Sequence, residues 1–507
     1  MFRGGKRFYN ESVPDRCSAW HRKQKGRADV NQLRKKAIAL IAVVVLTAWM
    51  ISACGSGGGS GSSASSASES AASSSASGGA GASPSGQPAS ISVTAWGDPV
   101  VQSVFAKTID QFNESHQGSI NAKLQIIPTD YDTKLTTMIA GNETPDVAQM
   151  ESATLAYPLA EEGKFLDLRP FLEKDPDLKI EDLAPLHGYY SDNGELFGLN
   201  SERETFMLFY NVDMFKEAGL DVPPADPDDA WDWDTFVNVA KKLTIDQNGN
   251  DATSPNFDPK RIKQYGVDFG KWWGLWGNFV FSNGGDFVSQ DGKSFGLSQP
   301  EATEALQKLA DLINVHHVAP SPTQAKSLPG GVNSLKTKKV AMLLDGQWMN
   351  LQFGNAKMNY DIGALPKLKK PVTMVVSGMF TIFKSTRNPD ASWQVLKALV
   401  NPESASELMV TGNWLPSKRD WYTDPQILQK WTNNAYHPKG FSGVIDSILN
   451  HSVPTPTAYV KNFNKIMDLV NPALDKVWLG ETTAAEAMNQ IEPKVMAVGI
   501  GRRDVKM

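Results

Sequence analysis

From Gly55 to Ser83 the chain contains only glycine, serine and alanine apart from Glu69. Such a stretch offers no sizeable apolar side chain to bury, so no core can form there and it behaves as a flexible tether. Its 29 residues have a root-mean-square reach of roughly 30 Å. The tract therefore cuts the 507-residue chain into a short leader and a body that must fold by itself. That body is large enough to split into at least two globular units.

The leader reads as an export signal. Residues 1 to 36 carry eleven Lys or Arg and three acids, and the apolar run Ala37-IALIAVVVLTAWMI-Ser52 follows. A basic flank before a run shorter than the roughly 20 residues of a membrane-spanning helix is the pattern of a secretory signal. Ile51-Ser52-Ala53-Cys54 resembles a bacterial lipobox, which implies cleavage before Cys54 and diacylglyceryl modification of its sulfur. The expected arrangement is a signal peptide over 1–53 and a lipidated Cys with a linker over 54–90. The mature protein would then sit at the outer face of the cytoplasmic membrane, lipid-anchored. An uncleaved single-span anchor is the alternative.

Removing residues 1–53 takes eleven of the 50 basic and three of the 55 acidic residues, leaving 39 against 52. A body so acidic is no nucleic-acid binder. Cys17 leaves with the leader and Cys54 would be acylated, so no disulfide remains and the core alone must hold the fold.

The pattern changes abruptly at Ile91. Ile91-SVTAW-Gly97 alternates as a strand, and Pro99 to Ser115 places Val100, Val104, Ile109 and Phe112 at helical spacing. Ala122-KLQIIP predicts a second strand, Tyr131 to Ala140 a helix closed by Gly141, and Pro145-DVAQM a third strand. This βαβα order predicts an α/β fold with a parallel sheet. Further on, helices are expected over Pro300–Val315 and Pro389–Val400, with strands at Val340-AMLL and Met379-FTIF.

Function is suggested by the aromatics. Twelve tryptophans remain after the leader, many beside turn residues: Trp96-Gly97-Asp98, Lys271-WWGLWG, Gly346-Gln347-Trp348 and Asn413-Trp414-Leu-Pro. Flat rings pack on the C–H faces of pyranoses while neighbouring carboxylates and amides bind hydroxyls. An open groove so lined suits a carbohydrate.

Several segments together resemble the extracellular solute-binding proteins of carbohydrate ABC transporters, the group that includes maltose-binding protein. They are Thr144-PDVAQM, Glu195-LFGLN, Leu208-FYNVDMFKEAGLDVPP, Gly284-GDFVSQDGK, Lys338-KVAMLLDGQW, Ile362-GALP, Ser377-GMFTIFKSTRNPDASW and Gly480-ETTAAEAMNQI. The resemblance spans about 90–500. It implies a two-lobed periplasmic-binding-protein-like fold of type II with three inter-lobe crossings. Lobe one would comprise 91–206 and 361–411, and lobe two 207–360 and 412–507. Crossings would fall near Thr205–Leu208, Tyr360–Asp361 and Thr411–Gly412. It also implies a sugar or oligosaccharide ligand closed on by hinge bending, ABC permease transmembrane subunits as partners, and a monomer.

Carried over by position, the residues facing the ligand from lobe one are Trp96, Asp98, Asp130, Tyr131 and Glu151, with Glu204 just before the first crossing. From lobe two come Trp273, Trp276, Asp345 and Trp348, and near the crossings Ser377, Gly378, Asn413 and Trp414.

Two rival chemistries remain. A glycoside hydrolase needs two acids roughly 5 to 10 Å apart, and nothing selects such a pair among Glu151, Glu204 and Asp345; a binding protein for a peptide or polyol is the other alternative. No H-E-x-x-H, G-x-S-x-G or phosphate loop is present, and no cofactor is expected. Thr244-IDQNGND offers Asp246, Asn248 and Asn250 as oxygen ligands, like the first half of a calcium loop. Gly249 is out of place for an EF-hand, and Asx-Gly runs are mostly plain turns, so a structural calcium and a bare turn both stay open.

Overall fold

The computed structural model describes residues 87–150, 153–432 and 435–504. The leader, Cys54, the tether and Glu151 lie outside the described residues. Among the described residues no helix is long and apolar enough to cross a membrane.

Two sheets organise the body. The first runs in the order Ile120–Ile126, Ala89–Ala95, Val147–Met150, Met379–Ile382, Leu196–Asn200, Gly188–Tyr190. Its first three strands are parallel, as the βαβα pattern predicts, with Val93 opposite both Leu124 and Val147. Met379–Ile382 lies antiparallel between Val147–Met150 and Leu196–Asn200. Helix Pro99–Ser115 covers this sheet with Val101, Val104, Phe105, Ile109 and Phe112. It begins where it does because the Asp98 carboxylate accepts from the N–H groups of Val100 and Val101, and Pro99 has no N–H to strand.

The second sheet runs Tyr360–Gly363, Phe206–Asn211, Val340–Gly346, Ile262–Phe269, Ile245–Asp246. Here the Leu208-FYNVDMFKEAGLD segment shows its physical sense. Asn211 ends the strand and caps helix Val212–Ala218, its side-chain oxygen accepting from Met214 N–H and its amide donating to Leu335 O. Gly219, at φ +64°, closes that helix in the left-handed region, which suits a residue without Cβ. Helices Pro300–Asn314, Phe463–Trp478 and Ala484–Val498 pack together around the core of this lobe.

Strand Tyr360–Gly363 corrects one expected boundary. It pairs antiparallel with Phe206–Asn211, Tyr360 opposite Asn211 and Gly363 opposite Leu208, so the chain is still in the second sheet beyond Asp361. The passage between sheets comes later. Glu204 exchanges both backbone hydrogen bonds with Val376, at 2.8 and 2.9 Å, and Arg203 does the same with Leu415, at 3.1 and 2.9 Å. Three segments therefore cross side by side as a short ladder.

Asn211 tests this reading of the motif. Asn211→Ala removes a cap and one of two donors to the Leu335 carbonyl, which keeps the Lys338 N–H at 3.0 Å, at a cost of about 1 kcal/mol. Denaturant unfolding should show a lower midpoint with an unchanged slope.

Candidate ligand-binding site

The site is built on the residues that follow the first crossing. Glu204 is half-buried, its backbone fixed by Val376. Two residues on, Phe206 is fully buried and opens an inner strand of the second sheet. Phe206 lies opposite Gly346 in the ladder, and Met207 opposite Asp345. The Trp348 ring folds back over Gly346 and meets Phe206 edge-on, centroids 5.5 Å apart at 80°. A Cβ on Gly346 would stand 2.1 Å from that ring, so only glycine lets it lie there.

Trp272 repeats the device. Its ring covers Gly274, where a Cβ would stand 2.1 Å away, and sits 5.8 Å from Phe206. Trp273 packs edge-on against Trp272 at 5.4 Å and against Phe463 at 5.2 Å. Trp272, Trp273 and Trp348 all keep part of their surface open while Phe206 and Phe463 back them from the core. The half-buried Asp345 belongs to the same corner, its Oδ1 held by Gly346 N–H at 2.7 Å. Three partly open indoles and carboxylates on one rim can stack a ring and accept hydroxyls.

Lobe one supplies less than expected. Trp96 is half-exposed, its backbone N–H donating to Gln149 Oε1 at 2.8 Å. Asp98 is committed to its helix cap, and Asp130 is exposed at φ +54°. Three of the expected aromatic residues leave the candidate set because their rings are buried. Tyr131 is fully enclosed and its hydroxyl lies 3.2 Å from both Thr94 O and Thr94 Oγ1. Trp276 has no exposed surface and stacks on Phe287 at 5.1 Å, since helix Trp273–Ser282 is enclosed on nearly every side and only its first residue reaches the rim. Trp414 turns inward at the third crossing and packs 5.8 Å from Phe105.

Ser377, Gly378 and Asn413 shape the crossings. Tyr189 donates to Ser377 O at 3.1 Å; burial pushes its phenol up to about 12, so it remains a donor. Gly378 N–H donates to the buried Glu202 Oε1, and a Cβ there would stand 2.5 Å from that oxygen. Asn413 is buried, its carbonyl accepting from Gln347 Nε2 at 3.2 Å. Sequence reasoning missed Trp272, Phe206 and Phe463. The glycine two residues after Trp272 was the available signal; Phe463 opens an ordinary amphipathic helix and carried none. A cavity of about 340 Å³ opens elsewhere on lobe one, between Phe112, His116, Lys397 and Lys418, and touches no expected site residue.

The Thr244–Asp251 loop does not fit a cation as it stands. Asp246 Oδ1 accepts from the N–H groups of Asn248 and Asn250, at 2.8 and 2.9 Å; Oδ2 accepts from Asp258 N–H at 3.0 Å and Asn250 Nδ2 at 3.2 Å. Every neighbour turns a donor toward the carboxylate, where a calcium ion would need oxygens. Among the described residues no group of three or more His, Cys, Asp or Glu could hold a metal.

The chain matches the family model of bacterial extracellular solute-binding proteins over residues 97–406, and it belongs to that family. It is similar to the arabinooligosaccharide-binding protein of Bacillus subtilis (strain 168), 25% identical over 244 residues, 47% of this chain and 51% of that protein. It thus spans about half the length of that relative. It is also similar to the maltooligosaccharide ABC transporter solute-binding lipoprotein of Streptococcus pneumoniae (strain ATCC BAA-255 / R6), 23% identical over 238 residues, 45% of this chain and 50% of that one. The solved ABC substrate-binding protein of Listeria monocytogenes in complex with cycloalternan matches with a TM-score of 0.67 at 24% identity, covering 81% of this chain and 99% of that one. That likeness shows the two-lobed fold.

The loop gives a test in pH. Burial raises the Asp246 carboxyl, but hydrogen bonds from Asp258, Asn250 and Asn248 outweigh it and bring it down to about 2. A folded value below the unfolded one of about 3.9 stabilises above that pH, and the stabilisation is lost as the pH falls through about 2. The stability deficit of Asp246→Asn should be largest at neutral pH and shrink toward pH 2. Adding calcium or a chelator should leave the melting temperature unchanged.

Proposed function

We propose that this protein captures an oligosaccharide between its two lobes and delivers it to an ABC importer. The observation that carries the reading is the group of three partly open tryptophans directly beyond the Glu204 crossing, Trp272 and Trp348 packed on Phe206 and Trp273 packed on Trp272. Contacts with the core hold these partly open rings in place, and an indole so held can stack on a pyranose. The sugar-binding relatives support the ligand class, and membership of an extracellular family supports a location outside the cytoplasm.

Membrane attachment extends the same reading. Cys54, acylated at the end of the signal, would carry two chains on its glycerol, enough for stable anchoring where one is not. The tether would then let the body reach permease subunits in the same membrane while standing clear of the lipid. The protein acts as a monomer that binds and releases its ligand unaltered; its acids hold hydroxyls and cleave no bond.

Titration calorimetry against arabino- and malto-oligosaccharides, with a peptide and a polyol as controls, tests the class. Trp348→Ala, Trp272→Ala and Glu204→Ala should each raise the dissociation constant about tenfold to hundredfold, or about 1 to 3 kcal/mol. Melting without ligand should change little for Glu204→Ala. Turnover of any bound sugar, or a response confined to the controls, would overturn the proposal. Cys54→Ser should release the protein from membranes, and retention with an intact leader would instead favour an uncleaved anchor.

A further inference from the structure

The last described residues do something the site does not use. Residues 459–461 and 501–503 run antiparallel, with Lys461 N–H donating to Gly501 O, Arg503 N–H to Tyr459 O, and Val460 opposite Arg502. Lobe two anchors this pair through Asp286, which accepts from the Tyr459 hydroxyl at 2.5 Å and from Arg502 Nη1 at 2.8 Å. The Arg502 guanidinium lies 4.1 Å over the Tyr459 ring. Tyr459 and Val460 pack into the core of lobe two.

Across from it stand groups of lobe one. Lys461 Nζ meets Asp192 Oδ2 at 2.5 Å, in the turn between strands Gly188–Tyr190 and Leu196–Asn200. Arg503 Nη2 meets Glu161 Oε1 at 2.7 Å, with its guanidinium 4.2 Å over the Tyr157 ring. Tyr157 and Glu161 stand four residues apart on helix Ala153–Glu161, so one face of that helix offers a ring and a carboxylate together. Asn464 Nδ2 donates to Thr154 Oγ1 at 2.8 Å from the same side. Its chain neighbour Phe463 backs Trp273, so these contacts border the aromatic group.

We propose that the 459–461/501–503 pair is an ionic clasp that holds the two lobes together independently of ligand and sets how readily they part. Its four charged partners sit on opposite lobes, and the Arg503 side chain is only 8% exposed while those of Glu161 and Asp192 are 47% and 44% exposed. One member is thus fixed by packing while the acids remain within reach of solvent ions. Salt should weaken the clasp through those acids. The lobes' resistance to opening, and hence the lifetime of a bound ligand, would then depend on residues that need not touch that ligand.

Hydrogen exchange on the full chain, without ligand, tests the clasp whether or not the sugar assignment holds. In the Lys461→Met/Arg503→Met variant, amides of helix Ala153–Glu161 and of the 190–196 turn should exchange roughly tenfold faster, while those of helix Pro300–Asn314 stay unchanged. High salt should move the wild type the same way. Asp192→Lys should mimic the loss, and Asp192→Lys/Lys461→Asp should recover it in part. Should the double variant fold poorly, Lys461→Gln alone carries the same comparison with a smaller increase. Unchanged exchange at the helix and turn, or equal acceleration at every amide, overturns the proposal. Failure of the wild type to bind any sugar would strike the proposed function and leave this result standing.

Discussion

A chain that leaves one sheet for another must still satisfy its backbone N–H and C=O groups where it crosses, and a buried unpaired group there would cost on the order of 1 to 3 kcal/mol. Here the crossings satisfy one another. Arg203 pairs with Leu415 on one edge and Glu204 with Val376 on the other, so three connections become one narrow ladder. Much of the site follows from that. Neighbouring residues of an extended segment point to opposite faces, so Arg203 is driven inward to lie 6.0 Å from the Tyr422 ring while Glu204 keeps part of its surface open. Phe206, two residues beyond, becomes the floor on which the tryptophans gather.

Whether a tryptophan belongs to that group or to the core depends on its neighbours more than on its own chemistry. Trp348 and Trp272 reach Phe206 because Gly346 and Gly274 leave room for a ring where a methyl would collide. Trp276 belongs to the same Lys271-WWGLWG run but stands one turn further into an enclosed helix, and its ring finds Phe287. Four residues separate an open indole from a core one.

The sequence was most legible where local rules act alone. Period, proline and glycine placed helices Pro99–Ser115 and Tyr131–Ala140 at their observed limits, and the βαβα order gave three parallel strands. It was least legible where tertiary packing decides. Nothing local distinguishes strand Tyr360–Gly363, which stays in the second sheet, from one that has crossed. Tyr131 begins a helix after a strand, a position that can face either the rim or the core, and the hydroxyl of Thr94 decides for the core. The Asp246 loop reads as a set of oxygen ligands in sequence, yet folding turns its amides inward as donors.

The strand order of the first sheet bears on when this protein can fold at all. Met379–Ile382 alone joins Val147–Met150 to Leu196–Asn200 within that sheet. Until residue 382 is available, the two halves of the sheet, which end at Met150 and Asn200, have facing edges and nothing between them. Contacts this distant in sequence form slowly, so the lobe that comes first in the chain is completed late. The first lobe thus stays a sheet in two parts until a segment returning from the second lobe supplies its middle strand.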